Sequence, residues 1–289
     1  MKIGLSSYSM YGAMRSGEMS FLDIIQWIAD NGADHMEVVS FMGDFLEDES
    51  LVKAVAEKTQ QLGLRVSAYC TGVNVLAKDD AEAQFDLAFK HIDVAHKMGS
   101  KVMRCDLTSW DRPREEMGID FFEKDLPALI EGSRRLADYA KQYDMIITAE
   151  NHGMYMNGGE RVRRLITGVD RDNYRCTLDV GNALCVDENP LVCIENLLPF
   201  AVAVHFKDFY IRRDADSVGE GFFITTPRGY LLRGAIVGHG DVDVALIAKT
   251  IRESGYDGDL AVEFEGLEDC KTGSRIGMDN LRRLMGMAK

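Results

Sequence analysis

Short apolar, often β-branched runs alternate with amphipathic stretches along the whole chain. Such runs predict strands, and apolar residues recurring every three or four positions between them predict helices. The strands fall at 2–5 (KIGL), 34–39 (DHMEVV), 64–69 (LRVSAY), 101–106 (KVMRCD), 145–150 (MIITAE), 174–179 (YRCTLD), 201–206 (AVAVHF) and 259–264 (DLAVEF). Helix ends are marked as well: Ser20 with Asp23 forms a capping box for 21–31 ahead of Gly32, and Asp241 is placed to cap 242–254 ahead of Gly255. No Pro/Ser-rich or low-complexity linker interrupts the alternation. Eight strand–helix repeats in 289 residues predict an α/β fold, one (β/α)₈ barrel over 1–289. A doubly wound sheet would carry a glycine-rich turn after its first strand, and LSSYSMYG is not one.

Four consecutive strand runs end in groups that resist burial: AENHG at 149–153, TLDVGN at 177–182, VHFKD at 204–208 and LAVEFEG at 260–266. In a (β/α)₈ barrel the C-terminal strand ends face the mouth, so polar residues belong there and apolar ones lower down. Side chains alternate faces along a strand, so the inward neighbours below Glu150, Asp179, His205 and Glu263 are Thr148, Thr177, Ala203 and Ala261. All four are small and leave room for the terminal groups to converge. Three carboxylates and an imidazole brought together would repel unless a cation joined them. The oxygen-rich donor set points to one divalent metal, Mn²⁺ first, with Mg²⁺, Co²⁺ or Zn²⁺ as alternatives.

On AENHG, TLDVGN, VHFKD and the tail GHGDVD with ESGYDGDLAVEFEG (238–243 and 253–266) the chain resembles the xylose isomerase-like TIM-barrel superfamily of sugar isomerases and epimerases, including D-tagatose 3-epimerases and inosose dehydratases. The resemblance implies that Glu150, Asp179, His205 and Glu263 bind the metal. It also implies that Glu150 and Glu263 act as an acid/base pair, moving a proton at the carbon beside a carbonyl through an enediolate. The usual epimerase substrate shell differs here: Met156, Asn182 and Ile211 stand where that pattern has Glu, His and Arg, with Arg212 and Arg213 just beyond. The long connection after the seventh strand, about 207–240, resembles that of inosose dehydratases. A structureless stretch of this length inside a barrel is usually functional, and it is expected to cover the mouth; an oligomer contact is its other reading.

Two further catalytic candidates are His152, as a base or substrate hydrogen-bond donor, and Lys207, whose parity matches that of His205. Their structural alternatives are a turn-fixing histidine and a lysine snorkelling at the rim. His35 with Glu37, and Arg104 with Asp106, share inward parity and are either mouth residues or buried polar pairs. His91 and His96 splay by about 140° on a helix and are not a ligand pair. NGGER at 157–161 offers backbone amides for an anion or a plain turn.

Composition narrows the function classes. The net charge of −14, from 33 basic and 47 acidic side chains, repels nucleic acid and anionic membrane. It disfavours a repair-endonuclease reading of the fold, which needs a basic groove. No run reaches a membrane span or signal peptide, and the six cysteines lack paired spacing, so the expected location is the cytoplasm and no disulfide framework is indicated. A non-catalytic sugar-binding barrel would be expected to lose ligands, and none is lost. The leading expectation is a metal-dependent isomerase or epimerase of a small-molecule sugar or keto-sugar. The alternative is a dehydratase-type lyase on a keto-sugar or keto-cyclitol, which shares the first proton abstraction. A homo-oligomer is compatible with either.

Overall fold

The computed structural model describes residues 1–77, 79–109, 111–214, 216, 218–221 and 224–287. Seven strands follow one another from the N-terminus: β1 Lys2–Ser6, β2 His35–Val39, β3 Arg65–Gly72, β4 Val102–Asp106, β5 Ile146–Glu150, β6 Tyr174–Asp179 and β7 Ala201–Phe206. After them come β8 Asp208–Arg212, β9 Ile224–Thr225, β10 Leu231–Ala235 and β11 Asp259–Val262. Strands β1 to β7 and β11 pair in parallel and close a barrel, with β11 seated between β7 and β1. This is the predicted (β/α)₈ architecture, and the predicted strands match it to within a few residues at each end.

The outer ring is formed by α1 Tyr11–Arg15, α2 Phe21–Asp30, α3 Glu49–Gln61, α4 Ala81–Lys97, α5 Ile119–Ala140, α6 Gly159–Val169, α7 Pro190–Leu197, α8 Val244–Glu253 and α9 Cys270–Leu284. Helix α2 shows how the sequence builds them. The Ser20 hydroxyl accepts from the Asp23 amide while the Asp23 carboxylate accepts from the Ser20 amide, and Phe21, Ile24, Ile25 and Ile28 recur on the face buried against the barrel. Each such side chain stabilises the fold by roughly 1.5–3 kcal/mol. No helix among the described residues is long and apolar enough to cross a membrane.

Two expectations are corrected. Asp243, not Asp241, caps α8, accepting from the Leu246 amide. The Asp241 carboxylate is instead engaged by the Ile211 amide and by Arg212. The connection after β7 is not structureless either: β8, β10 and β9 form an antiparallel three-stranded sheet. That sheet packs Phe209 and Leu232 on Cys185, with Met154, Leu184, Ile211 and Ile224 around them. Among the described residues it adds Ile224 to the lining of the mouth, so it stands beside the opening. Residues 215, 217, 222 and 223 of this segment lie outside the described residues.

The buried carboxylate of Asp208 ties the two ends of this insertion together. It accepts backbone amides from Phe209, Gly238, Gly240 and Val242 at 2.8–3.2 Å. Gly240 is required there, since a Cβ would lie 2.1 Å from Oδ1 of Asp208.

Candidate metal centre

The layer beneath the mouth is as small as parity requires. Thr148 and Thr177 hydrogen-bond to each other at 2.8 Å, and Ala203 and Ala261 are buried beside them. Above this layer Glu150, Asp179 and His205 project from the ends of β5, β6 and β7, and Glu263 from the residue after β11. One ligand atom from each lies within 4.8 Å of the others, and all four residues are buried.

The surrounding motif residues hold these groups in place. Asn151 brackets the end of β6, accepting from the Asp179 amide at 2.9 Å and donating to the Asp179 carbonyl at 2.8 Å. Oδ1 of Asp179 accepts the amides of Gly181 and Asn182 at 2.8 and 2.7 Å. Gly181 lets the chain pass beside β7, because a Cβ there would sit 2.6 Å from the Lys207 carbonyl oxygen. Ser6 donates to Oε1 of Glu263 at 3.1 Å. Nδ1 of His205 faces the cluster, 3.2 Å from Oε1 of Glu150 and 3.9 Å from Oε2 of Glu263.

The donor set fits a divalent cation. Oδ2 of Asp179, Oε2 of Glu150 and Nδ1 of His205 are buried with no hydrogen bond of ordinary geometry, although buried polar atoms ordinarily make one. Burial pushes the Asp179 carboxyl up to about 6, against the pull of Lys207. Burial also opposes ionisation of Glu263, but Lys207 and His205 outweigh it and hold that group well below the usual carboxylate range. A buried Glu/Asp/His cluster of this kind could bind a divalent metal.

Lys207 is drawn into the site, not out to the rim: it is 2% exposed, with Nζ 2.7 Å from Glu263, 3.0 Å from Glu265 and 3.8 Å from Asp179. Arg104 joins Glu150 to Asp106, with Nε 3.0 Å from Oε2 of Glu150 and Nη1 2.7 Å from Oδ2 of Asp106. His152 meets the same Asp106 carboxylate through Nδ1 at 3.0 Å. Burial alone would raise Asp106, but Arg104 and His152 outweigh it and bring the carboxyl down to about 2. Asn182 spans the two groupings: its Nδ2 donates to Glu150 at 3.4 Å and its Oδ1 accepts from Lys207 at 3.3 Å. Arg104, Asp106, His152, Asn182, Lys207, Glu263 and Glu265 line a cavity of about 940 Å³ that Tyr8 and Phe41 wall with aromatic rings.

Other candidates are engaged in other contacts. His91 is buried and pairs with the Tyr69 hydroxyl, and His96 stacks on Tyr143. The amide seat before α6 is taken by the chain itself, because Gly159 donates to the Glu188 carboxylate at 2.8 Å. Arg212 pairs with Asp241, and Arg213 lies over the Tyr230 ring. Ser6, Glu265 and the knot at Asp208 are additions that sequence reasoning missed. Glu265 was within its reach, since it shares inward parity with Glu263.

The family model described as xylose isomerase-like TIM barrel matches residues 25–284. An inosose dehydratase of Lacticaseibacillus casei is 27% identical over 199 residues, covering 65% of this chain and 64% of that protein. The chain thus spans just under two thirds of that relative's length. Among solved structures, the IOLI protein with a bound zinc atom superposes with a TM-score of 0.73 at 16% identity, covering 99% of this chain and 98% of that one. D-allulose 3-epimerase from Methylomonas sp. gives 0.71 at 16% identity, with 98% of both chains covered. At these identities the structural likenesses carry the fold alone.

Proposed function

The chain belongs to the xylose isomerase-like TIM barrel family, and from that premise we propose a divalent-metal-dependent lyase that removes water from an uncharged keto-cyclitol or keto-sugar. The ligands in this reading are Glu150, Asp179, His205 and Glu263, with Mn²⁺ the best match to an oxygen-rich set carrying one nitrogen. Bound there, the ion supplies polarisation of the substrate carbonyl and charge to balance the enediolate oxygen.

The chain's own residues then divide the proton work. Glu150 and Glu263 flank the site, and one of them takes the proton from the carbon beside the carbonyl. Lys207, held between Glu263 and Glu265, donates a hydrogen bond to the oxygen that gains charge. For elimination the electron pair left on carbon expels the hydroxyl from the β carbon, and His152 protonates it so that it departs as water. Asp106 fixes the His152 ring through Nδ1. The observation that carries the lyase reading is this Asp106–His152 pair, a proton carrier in the same cavity but outside the four-residue ligand set. The similarity to an inosose dehydratase supports it.

The cavity also argues for a neutral substrate. Among the described residues lining it, Arg104 and Lys207 each already have carboxylate partners, and Asp80 and Asp111 add further negative charge. A phosphate or carboxylate group would find no surplus cation there.

Epimerisation of a keto-sugar is the second reading. It uses the same abstraction and returns the proton on the other face, with Glu150 and Glu263 as the two proton carriers. Incubating neutral and phosphorylated keto-sugars and keto-cyclitols with the Mn²⁺-loaded protein in D₂O separates the two. Loss of one water by mass supports the lyase, and deuterium gained without that loss supports the epimerase. Exchange confined to phosphorylated substrates would overturn the neutral-substrate reading.

A further inference from the structure

Beside His205 lies a carboxylate that the proposed chemistry leaves unused. Glu37 is on the inward face of β2 and fully buried, and neither of its oxygens has a hydrogen bond of ordinary geometry. Its one ion-pair partner among the described residues is Nε2 of His205, 2.8 Å away. The other ring nitrogen of His205 faces Glu150 and Glu263. The ring is therefore held between the Glu37 carboxylate on its Nε2 side and the cluster on its Nδ1 side. An imidazole whose one nitrogen is held as N–H by a carboxylate presents the other as a lone pair, which is the form a metal binds.

We propose that Glu37 is a positioning residue: it fixes the His205 tautomer and ring orientation so that Nδ1 is the metal-binding nitrogen. The inference rests on the metal reading given above and extends it to a residue that would not touch the ion. A purely structural ion pair makes a different forecast. Removing one partner of a buried pair lowers stability, so in a plain scaffold Glu37→Leu would lower stability while leaving the metal affinity of the folded protein unchanged. A lost orienting partner, by contrast, typically costs about 10–100-fold in metal affinity.

The test combines Co²⁺ titration followed by visible absorption with two-bond ¹H–¹⁵N correlation of the histidines in the Zn²⁺-loaded protein. In the wild type, His205 should show protonated Nε2 and ligated Nδ1. Glu37→Leu, assayed well below its own melting temperature with the wild-type circular dichroism spectrum, should bind Co²⁺ about 10–100-fold more weakly. Glu37→Gln, which retains an oxygen acceptor, should lose less. Ligation through Nε2, or wild-type Co²⁺ affinity in Glu37→Leu, overturns the role of Glu37 while leaving the metal reading intact. A wild-type protein that binds neither ion overturns both.

Discussion

Nζ of Lys207 stands 2.7 Å from Oε2 of Glu263, inside the cluster that would hold the ion. Lysine and metal thus share one carboxylate. Without the ion, the ammonium partly balances Glu263 and Asp179, and removing one partner of a buried pair costs roughly 3–5 kcal/mol. Lys207→Met should therefore be less stable than the wild type when metal-free, and should gain more in melting temperature on adding Mn²⁺. Equal gains in the two proteins would show that Lys207 does not compete for the site.

Glu150 and Glu263 approach the cluster from strands separated by two intervening strands, β6 and β7. Glu150→Gln and Glu263→Gln should each lower turnover at least a hundredfold, the usual scale of a lost proton carrier. One of them should still exchange the substrate's α hydrogen with D₂O. If both exchange at the wild-type rate, the glutamates are ligands only and the base must be His152 or Lys207.

Asp208 satisfies four backbone amides at the root of the insertion. Asp208→Ala leaves buried donors without acceptors, each costing about 1–3 kcal/mol where water cannot reach it. Hydrogen exchange should quicken at the amides of residues 209, 238, 240 and 242, with the barrel strands less affected. Unchanged protection at these amides would mean that the sheet of β8, β9 and β10 holds itself in place.

Much of this was legible in the sequence because strand parity is a strong signal. An apolar run ending in Glu, Asp or His above a small residue states both which way the terminal group points and that it has room. The convergence of Glu150, Asp179, His205 and Glu263 follows from that alone. Parity does not say which of several converging groups pair. The Arg104 bridge between Glu150 and Asp106, and the choice of Lys207 for Glu263 and Glu265, depend on reach across strands remote in sequence. Asp241 was expected to cap α8, and the cap falls to Asp243 because Asp241 is held by β8. The small sheet escaped notice for a related reason: its register is anchored by Asp208, and carboxylate–amide contacts leave no periodic trace.

Burial lowers the His91 ring to about 4, against an ordinary value of 6.5. Between those values the unfolded chain takes a proton that the folded one refuses, so the neutral ring's contribution is complete above about pH 6.5 and is lost as pH falls toward 4. The shift corresponds to about 3 kcal/mol in all. His35, buried against Ser67, shifts in the same direction, again through burial. Urea denaturation at pH 7, 6 and 5 should show stability declining in the wild type and declining less steeply in His91→Gln. Parallel slopes would remove His91 from the explanation.

The convergence of Glu150, Asp179, His205 and Glu263 on one ion is tested most directly by elemental analysis of protein dialysed after loading with Mn²⁺. The wild type should retain one ion per chain. Asp179→Asn, which exchanges a charged ligand for a neutral amide, and His205→Ala should retain almost none while keeping the wild-type circular dichroism spectrum. Full loading of both variants would contradict the site.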